Sequence, residues 1–284
     1  MMRRQSDIEI AIKAASRAGE LLLQLRQGVE TGDATRTPLD VDALRADGDQ
    51  DANRAITELI STGRPDDTLL SEEAADDPRR LSADRVWIVD PLDGTREFGE
   101  RDTAGVWRDD FAVHVALWER GQGLTLGVVG LPALGVIYSS DAPPEVPPSP
   151  LGALRIAVSR TRPPEFISVL EESGSATLVP MGSAGVKVMA VVRGEVDAYI
   201  HAGGQYQWDS AAPVAVALAA GLIATRLDGS PLRYNVPELL LPDLLVCHPD
   251  RANEVRAHLD AAGFGPGRPS GTGASGVGAA ESAR

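Results

Sequence analysis

The chain has 284 residues, 43% of them hydrophobic, and its 41 Asp and Glu residues outnumber its 27 Lys and Arg residues, which gives a formal net charge of −14. This length suits one large domain or two halves that share a core, and the negative charge disfavours nucleic-acid polymers and anionic membranes as partners. No apolar run approaches the ~20 residues needed to cross a bilayer, so we expect no stable membrane insertion. Cys247 is the only cysteine, and we expect it to be a buried core residue of a cytoplasmic protein.

The first part of the chain predicts two helices followed by a series of strands. Apolar residues recur at helical spacing over 6–27, which predicts a long amphipathic helix. Residues 32–48 are polar and predict an irregular segment, after which Asp49 opens a second helix that ends at Leu59 or Ile60. Sheet-forming segments are predicted over 68–70, 86–89, 111–117, 124–131 and 135–138.

The second part of the chain follows a proline-rich stretch. Residues 142–150 contain five prolines and predict a linker between an N-terminal half, 1–145, and a C-terminal half, 151–262. Residues 263–284 are rich in Gly, Ser and Ala and predict a disordered tail. Beyond the linker the pattern predicts strands over 154–158, 196–200 and 244–247 and helices over 165–172, 184–192, 209–220 and 251–262. This alternation favours a mixed, layered α/β fold.

Residues 90–95, Asp-Pro-Leu-Asp-Gly-Thr, form the most informative motif of the chain. They follow an apolar strand, and a tight turn there would present Asp90, Asp93 and the Leu92 carbonyl to one point. Hard divalent cations need such an arrangement of oxygens. If Gly94 and Thr95 open a helix, their backbone N–H groups would hold a phosphate beside the metal.

Other acidic residues are also candidates, but each has an ordinary structural interpretation. Glu72 and Glu73 follow a short strand, where acidic pairs are commonly solvated. Asp49 would serve only as a helix cap, and Asp209, next to Trp208, as the N-cap of another helix. None of these residues identifies an active site by itself.

Taken together, Asp49, Glu72-Glu73, the 90–95 motif and Trp208-Asp209 occur in an order that resembles the lithium-sensitive, magnesium-dependent phosphatase superfamily. That superfamily includes inositol monophosphatases, fructose-1,6-bisphosphatases and 3′(2′),5′-bisphosphate nucleotidases. The resemblance extends over most of the chain and implies an α+β or α/β fold, a layered αβαβα sandwich of the inositol monophosphatase type. It does not determine the oligomeric state, and a homodimer is among the alternatives.

The resemblance implies two or three Mg²⁺ ions as cofactors. Glu72, Asp90 and the Leu92 carbonyl would hold one ion, and Asp90, Asp93 and Asp209 would hold a second. The ions would activate a water molecule that attacks a small phosphate ester directly, without a covalent intermediate.

The resemblance also implies roles for residues that do not hold metal. Glu72, with Asp49 and Thr95, would orient and deprotonate the attacking water, and Asp47 is a rival to Asp49 as the first acidic residue of the pattern. The residues implied to contact substrate are Glu72, Leu92, Asp93, Gly94, Thr95, Gly182, Ser183, Lys187, His201, Asp209 and Tyr234.

Within the superfamily, three features resemble the CysQ-type nucleotidases, which remove the 3′-phosphate of 3′-phosphoadenosine 5′-phosphate. This resemblance implies that nucleotide as the substrate, with 3′-phosphoadenylyl sulfate as a further candidate. Glu97 follows the 90–95 motif at a position where inositol phosphatases carry Asn. Lys187, after Gly182-Ser183, would approach a second phosphate, unless it is an exposed helix residue. Tyr234 belongs to a segment that lines the base.

Several alternatives stay open at this point. An inositol-1-phosphate or fructose-1,6-bisphosphate phosphatase would use the same scaffold. A glycoside hydrolase would use a carboxylate pair such as Glu72 and Asp90 without metal, and a metal-dependent nucleotide sensor would bind without catalysis. His114, in an alternating strand, is interpreted as a structural histidine, and His201 as a residue that touches the nucleotide.

Overall fold

The computed structural model describes residues 6–30 and 40–265, and within these ranges the chain forms seven α-helices and ten β-strands. The helices are α1 (Asp7–Glu30), α2 (Val41–Gly63), α3 (Thr95–Phe98), α4 (Glu165–Glu172), α5 (Ala184–Val192), α6 (Gln207–Ala219) and α7 (Ala252–Ala261). The strands are β1 (Thr68–Ser71), β2 (Arg85–Asp93), β3 (Ala112–Glu119), β4 (Gly123–Leu131), β5 (Val136–Ser139), β6 (Leu154–Ser159), β7 (Ala176–Met181), β8 (Ala198–Tyr206), β9 (Ile223–Thr225) and β10 (Leu240–Cys247).

These elements stack in five layers. Helices α1 and α2 cover one face of the first sheet, α5 and α6 lie between the two sheets, and α4 and α7 cover the outer face of the second sheet. The αβαβα sandwich expected from the resemblance is therefore confirmed. No helix in the described part of the chain is long and apolar enough to span a bilayer.

The first sheet has the strand order β1-β2-β3-β4-β5, with β1 and β2 parallel and the other neighbours antiparallel. Strand β2 is buried on both faces because apolar side chains alternate between two cores. Val86 and Ile88 pack toward the inner helices, whereas Trp87 and Val89 pack against α1 and α2. Such two-sided burial makes β2 a rigid support for the acidic residues at its end.

The second sheet has the order β7-β6-β8-β10-β9. Strand β6 runs parallel to β7 and β8, and β10 is antiparallel to β8 and β9. The pattern of β6 again alternates, with Ile156 and Val158 in the outer core and Ala157 in the core between the sheets. Cys247 is buried at the end of β10, as expected.

The prediction of an irregular segment over 32–48 is wrong where that segment can be described, because α2 has already begun there. Asp40 is the N-cap, and its carboxylate accepts hydrogen bonds from two amides of the first turn. Gly48 lies within α2 and does not end a loop. A Cβ at this position would lie 2.8 Å from the Phe98 ring, so the glycine allows the helix to pack closely there. Asp49 consequently lies in the middle of α2 and caps nothing. Residues 31–39 lie outside the described residues.

The proposed division at residues 142–150 stays a prediction. That stretch contains no helix or strand and joins the two sheets, but α5 and α6 from the C-terminal half pack against the first sheet as well. Of the expected disordered tail, only 263–265 is described, and there the Phe264 ring lies 4.8 Å from that of Phe166.

The close approach of α6 to the first sheet depends on Gly127 in β4. A Cβ at Gly127 would lie 2.5 Å from the Ala212 carbonyl oxygen and 2.7 Å from the Ala215 Cβ. We expect Gly127→Ala to lower the free energy of unfolding by about 1–3 kcal/mol, because α6 must move outward. Denaturant titration measures the loss.

The matched control is Gly28→Ala, at a helical glycine where an added Cβ would meet nothing within 4 Å. This change should leave the free energy of unfolding unchanged or raise it by up to about 1 kcal/mol, because alanine favours a helix over glycine. Equal stability of the two variants would contradict the role given to Gly127.

Candidate active site

Four carboxylates approach one another near the end of β2: two from β2 itself, one that follows β1 and one from α6. Strands β1 and β2 pair in parallel with Ser71 opposite Val89, which brings Glu72 beside Asp90. The two carboxyl groups interact with each other, and Asp90 also interacts electrostatically with Asp93 and Asp209. The structure thus gathers the four acidic residues that the sequence pattern singled out.

A bulge in β2 lets Asp90 and Asp93 serve the same cluster. Asp90 is opposite His114 in β3, but Asp93 is opposite Ala112, so three steps on β2 match two on β3. Without this irregularity, residues three apart on a strand would point to opposite faces of the sheet. The expected turn at residues 90–95 is therefore a bulged strand end, in which Asp90 Oδ1 accepts a hydrogen bond from the Leu92 amide at 3.1 Å.

Asp93 is held by the N-terminal end of α5. Its Oδ2 accepts hydrogen bonds from Ser183 Oγ at 2.5 Å and from the Gly185 amide at 2.6 Å. Ser183 is the N-cap of α5 and has a φ of +46°, which is uncommon for a residue with a side chain. At Gly185 a Cβ would overlap the ring of His114. Only glycine therefore lets α5 come this close to Asp93.

His114 lies between the acidic residues and is fully buried. Its Nδ1 is 3.3 Å from the Trp208 carbonyl, and its Nε2 is 3.3 Å from Asp93 Oδ2. Burial lowers the pKa of His114, although the charge of Asp93 acts in the opposite direction. The residue is buried as expected of a structural histidine, but among the described residues its Nε2 has no hydrogen-bond partner.

Asp49 reaches the same region from α2. Thr95 Oγ1 lies 3.1 Å from Asp49 Oδ1 and 3.0 Å from the Leu92 carbonyl, so its single hydrogen is shared between two acceptors. This contact is made by Asp49 and not by its rival Asp47. Gly94 precedes Thr95 with a φ of +92° and is the N-cap of the short helix α3, so the first amides of that helix have no intrahelical partner.

The protein raises the pKa of several of these acids. Burial, followed by the charge of Glu73, raises the pKa of Asp49 to about 7. Glu72 is exposed at the surface as a residue, yet the protein atoms around its carboxyl group and the charge of Asp93 raise its pKa to about 7. Burial and the neighbouring carboxylates also raise the pKa of Asp90 and Asp209 well above the ordinary value. The cluster therefore concentrates negative charge in a region that water reaches poorly.

The chemistry of these donors fits a hard divalent cation. Carboxylate and carbonyl oxygens are the ligands that Mg²⁺ prefers, and a cation would offset the repulsion that, after burial, raises the pKa values. Across residues 6–30 and 40–265, no three acidic or imidazole side chains are already gathered in ligand geometry. Instead Asp93 is held by Ser183, and Asp209 accepts a hydrogen bond from the Tyr206 amide at 2.9 Å. The oxygen donors are therefore of the chemical type that a divalent cation requires.

Asp209 is not the N-cap that its sequence position suggested. Helix α6 begins at Gln207, with Tyr206 as N-cap, and Asp209 occupies the third helical position. From there its carboxylate accepts a hydrogen bond from the Tyr206 amide, as in a capping box. The first turn of α6 therefore fixes Asp209 at the edge of the cluster.

A cavity of about 220 Å³ adjoins this cluster. Asp93 and Asp209 belong to both the cluster and the cavity wall. The other predicted residues that line the cavity are Gly94, Gly182, Ser183, Lys187 and His201. The sequence analysis missed Arg160, Arg162 and Gln205, which also line it. The signal for the arginines was available, because both lie within four residues of the end of the strand predicted over 154–158.

Lys187 is buried and is not the exposed helix residue of the alternative interpretation. Its Nζ donates hydrogen bonds to the carbonyls of Gly182 at 3.0 Å and Ser183 at 2.6 Å. Burial lowers the pKa of Lys187, and the charge of Asp93 partly offsets this effect. Arg160, on the same cavity wall, is fixed by Glu97, whose Oε1 lies 2.6 Å from its Nη2.

Tyr234 does not line the cavity. It is buried in the core between the sheets, and its hydroxyl lies 3.0 Å from Ser210 Oγ. The expected contact of this residue with a base therefore has no support in the geometry. A further cavity of about 230 Å³ lies between α4 and α7, but apolar side chains such as Phe166 and Leu170 line it, and it contains no carboxylate.

The profile of the inositol monophosphatase family matches residues 3–260. The chain belongs to that family. The superfamily resemblance is thus confirmed, and the chain is a member of a family of metal-dependent phosphatases.

Individual relatives of this family member include nucleotide phosphatases. The chain is 51% identical over 247 residues to the 3′-phosphoadenosine 5′-phosphate phosphatase of Mycobacterium bovis, covering 83% of this chain and 86% of that one. It is 32% identical over 249 residues to the 3′(2′),5′-bisphosphate nucleotidase CysQ of Salmonella typhimurium, with coverage of 82% and 96%.

Solved structures of the family show the same fold. The crystal structure of CysQ from Bacteroides thetaiotaomicron matches with a TM-score of 0.68 at 28% identity, over 85% of this chain and 97% of that one. Inositol monophosphatase II of Staphylococcus aureus matches with a TM-score of 0.72 at 20% identity, over 90% and 96%.

The raised pKa values predict how stability depends on pH when metal is removed. Asp49 and Glu72 have folded pKa values of about 7 against ordinary values near 4. The native state therefore holds more protons than the unfolded state in this range, and stability falls as the pH rises through 7. We expect the melting temperature of EDTA-treated protein to fall between pH 6.5 and 7.5.

The control for this prediction is the Asp49→Asn, Glu72→Gln double variant, which should show a weaker dependence on pH because neither residue titrates. The buried histidines shift stability in the opposite direction, but only below their ordinary pKa of ~6.5. A melting temperature that rises over the same interval in the wild-type protein would contradict the raised pKa values.

Proposed function

We propose that this chain is a Mg²⁺-dependent phosphatase that hydrolyses the 3′-phosphate of 3′-phosphoadenosine 5′-phosphate to AMP and phosphate, with 3′-phosphoadenylyl sulfate as a further substrate. The observation that carries the proposal is a single cavity lined by both carboxylates and cationic side chains. Such a cavity suits a substrate with two phosphates, one at the metal cluster and one at the cationic wall. The names of the relatives described above support this substrate.

The carboxylate cluster would hold two or three Mg²⁺ ions. We assign Glu72, Asp90 and the Leu92 carbonyl to one ion, and Asp90, Asp93 and Asp209 to a second. Bound divalent cations lower the pKa of water and offset the charge that develops on a transferring phosphoryl group. The Ser183 hydroxyl and the Gly185 amide keep Asp93 in place, so this carboxylate is already oriented.

The chain's own groups would position the nucleophile and the phosphate. Glu72 would take the proton of the attacking water. Asp49 and Thr95, which are already in contact through Thr95 Oγ1, would orient that water. The amides of Gly94 and Thr95 would hold the phosphate oxygens, since the first N–H groups of a helix have no partner within it.

The second phosphate would bind at the cationic wall formed by Lys187, Arg160 and Arg162. Lys187 is anchored to the Gly182-Ser183 carbonyls, and Arg160 is anchored by Glu97 and Glu100. Anchored cations need less reordering when a phosphate arrives. Inositol 1-phosphate and fructose 1,6-bisphosphate are less favoured as substrates, because the more similar relatives carry nucleotidase names.

We also propose a small-molecule partner and a cytoplasmic location. The partner is a small phosphate ester rather than a nucleic-acid polymer, and the free, buried Cys247 supports a cytoplasmic location. The assembly as a homodimer stays a prediction. A glycoside hydrolase that acts without metal does not agree with membership of a metal-dependent phosphatase family.

The test of this function is a phosphate-release panel with adenosine 3′,5′-bisphosphate, inositol 1-phosphate and fructose 1,6-bisphosphate, each with Mg²⁺ and with EDTA. We expect release from the nucleotide to dominate, to stop in EDTA and to return with Mg²⁺. Equal turnover of the three substrates would contradict the proposed substrate. Nucleotide binding without phosphate release would favour the sensor alternative.

Asp93→Asn should abolish activity while preserving the fold. The amide oxygen can still accept from Ser183 and Gly185, but the charge that a cation needs is lost. We expect kcat to fall by roughly 10³-fold or more, because electrostatic stabilisation is the main contribution at such sites, with little change in melting temperature. A variant that retains more than a tenth of wild-type kcat would contradict the assignment of Asp93.

Lys187→Met should reduce kcat/KM for adenosine 3′,5′-bisphosphate more than for adenosine 3′-monophosphate, because only the bisphosphate presents a second phosphate to the lysine. Methionine retains the apolar stem of this buried side chain and removes the charge. The ratio of the two kcat/KM values is the readout. Equal losses for both substrates would show that Lys187 only supports the Gly182-Ser183 loop.

A further inference from the structure

One wall of the cavity is formed by the alternate residues of β8. Ala198 and Ile200 pack into the outer core, whereas Tyr199, His201 and Gln205 line the cavity. This alternation follows from the two-residue period of a strand. Gln205 lies further along β8, four residues before Asp209.

An irregularity in β8 opens the strand beside this wall. Ala202 is opposite Asp243 in β10, but the next pair joins Gln205 to Leu241, so two glycines of β8 face a single residue. That residue is Pro242, which has no N–H to donate to the ladder. Gly203 and Gly204 have φ values of +117° and +83°, a region that favours glycine. The backbone can therefore leave the regular ladder at this point.

The side chain of Gln205 is buried without using its hydrogen-bonding capacity. Its exposed fraction is 6%, and Oε1 has no hydrogen-bond partner among the described residues. A buried carbonyl oxygen without a partner is costly, and most such groups in native proteins are paired. Oε1 itself is covered, but the Gln205 side chain lines the cavity, so a rotation of its terminal amide would present this oxygen to a donor there.

Gln207, two residues further on, shows what a structural glutamine looks like in the same region. Its Nε2 donates to the carbonyls of Val236 at 3.1 Å and Glu238 at 2.7 Å, and its Oε1 accepts from the Asn235 amide at 2.6 Å. Every amide atom of Gln207 is thus used to fix the neighbouring loop. The contrast separates Gln205 from a residue that the fold alone requires.

His201 contributes a second acceptor to the wall. Its Nε2 lies 3.1 Å from the Gly204 carbonyl oxygen, and because a carbonyl can only accept, this nitrogen carries the hydrogen. Burial keeps the imidazole neutral by lowering its pKa. Nδ1 of a neutral imidazole in this tautomer is an acceptor, so both side chains offer lone pairs.

We propose that Gln205, with His201 beside it, is a specificity-determining residue that accepts hydrogen bonds from the N–H or O–H donors of the substrate's nucleoside. This inference rests on the proposed function and assigns the non-phosphate part of the same substrate. In the proposed function the phosphates would be bound by the cationic side chains and by metal held by the carboxylates, whereas an acceptor wall is suited to the exocyclic amine of a purine or to a ribose hydroxyl.

The test compares wild-type protein with Gln205→Met, which keeps the length of the side chain and removes its polar atoms. In the phosphate-release assay, we expect KM for adenosine 3′,5′-bisphosphate to rise about tenfold, with kcat changed less than twofold. Inhibition constants for the products supply a second readout. The constant for AMP should rise by a similar factor, and that for inorganic phosphate should not change.

Inosine 5′-monophosphate distinguishes the two donor groups, because it lacks the exocyclic amine of AMP. If the amine is the donor, inosine monophosphate binds the wild-type protein about as weakly as AMP binds the variant. If a ribose hydroxyl is the donor, the substitution weakens both nucleotides equally. Either result supports the proposal.

Matched variants separate recognition from folding. Gln122→Met, at an exposed glutamine between β3 and β4, should behave like the wild type. Gln207→Met should lower the melting temperature, because three hydrogen bonds are lost. Unchanged AMP inhibition in Gln205→Met would overturn the proposal, and so would an equal loss for AMP and phosphate. Failure of the wild-type protein to release phosphate from the nucleotide would instead overturn the proposed function.

Discussion

The hydrogen bonds between Asp93 and the start of α5 are the contacts on which the site depends. Asp93 ends a strand of the first sheet, while Ser183 and Gly185 belong to the layer between the sheets. The same carboxylate therefore caps a helix and belongs to the acidic cluster. Because Lys187 binds the carbonyls of this loop, the cationic side of the cavity is positioned by the same few residues.

The acidic cluster lowers the stability of the fold, and this loss is consistent with a role in binding a cation. Asp90 is fully buried among other carboxylates, and its pKa is well above the ordinary value. A fold selected for stability alone would place an apolar residue there, since buried like charges repel one another. The surrounding layers keep the cluster in place, because β2 is packed on both faces by separate cores. A bound cation would turn the repulsion into attraction.

Much of the fold and of the candidate site was predictable from the sequence, because the local hydrophobic patterns agreed with the tertiary structure. The αβαβα class followed from the motif resemblance, and most strands and helices were predicted close to their observed bounds, since their patterns of two and 3.6 residues were clear. The start of α2 was missed because charged residues and Gly48 interrupt the apolar residues of 41–48, although Gly48 packs closely against Phe98 within the helix. Strand β7 was missed for a similar reason, as only Ala176 among its residues is fully buried.

The sequence alone singled out the candidate acidic ligands, because Asp90, Asp93 and Asp209 occur in an order that resembles a known family pattern. Only the tertiary structure decided that Lys187 is buried, that Tyr234 belongs to the core, and that Gln205 lines the cavity while Gln207 does not. The physical reason is that a side chain's partners come from distant segments. Gln205 and Gln207 are the same residue type and lie two positions apart at the junction of β8 and α6. They differ in the residues that the fold places around them.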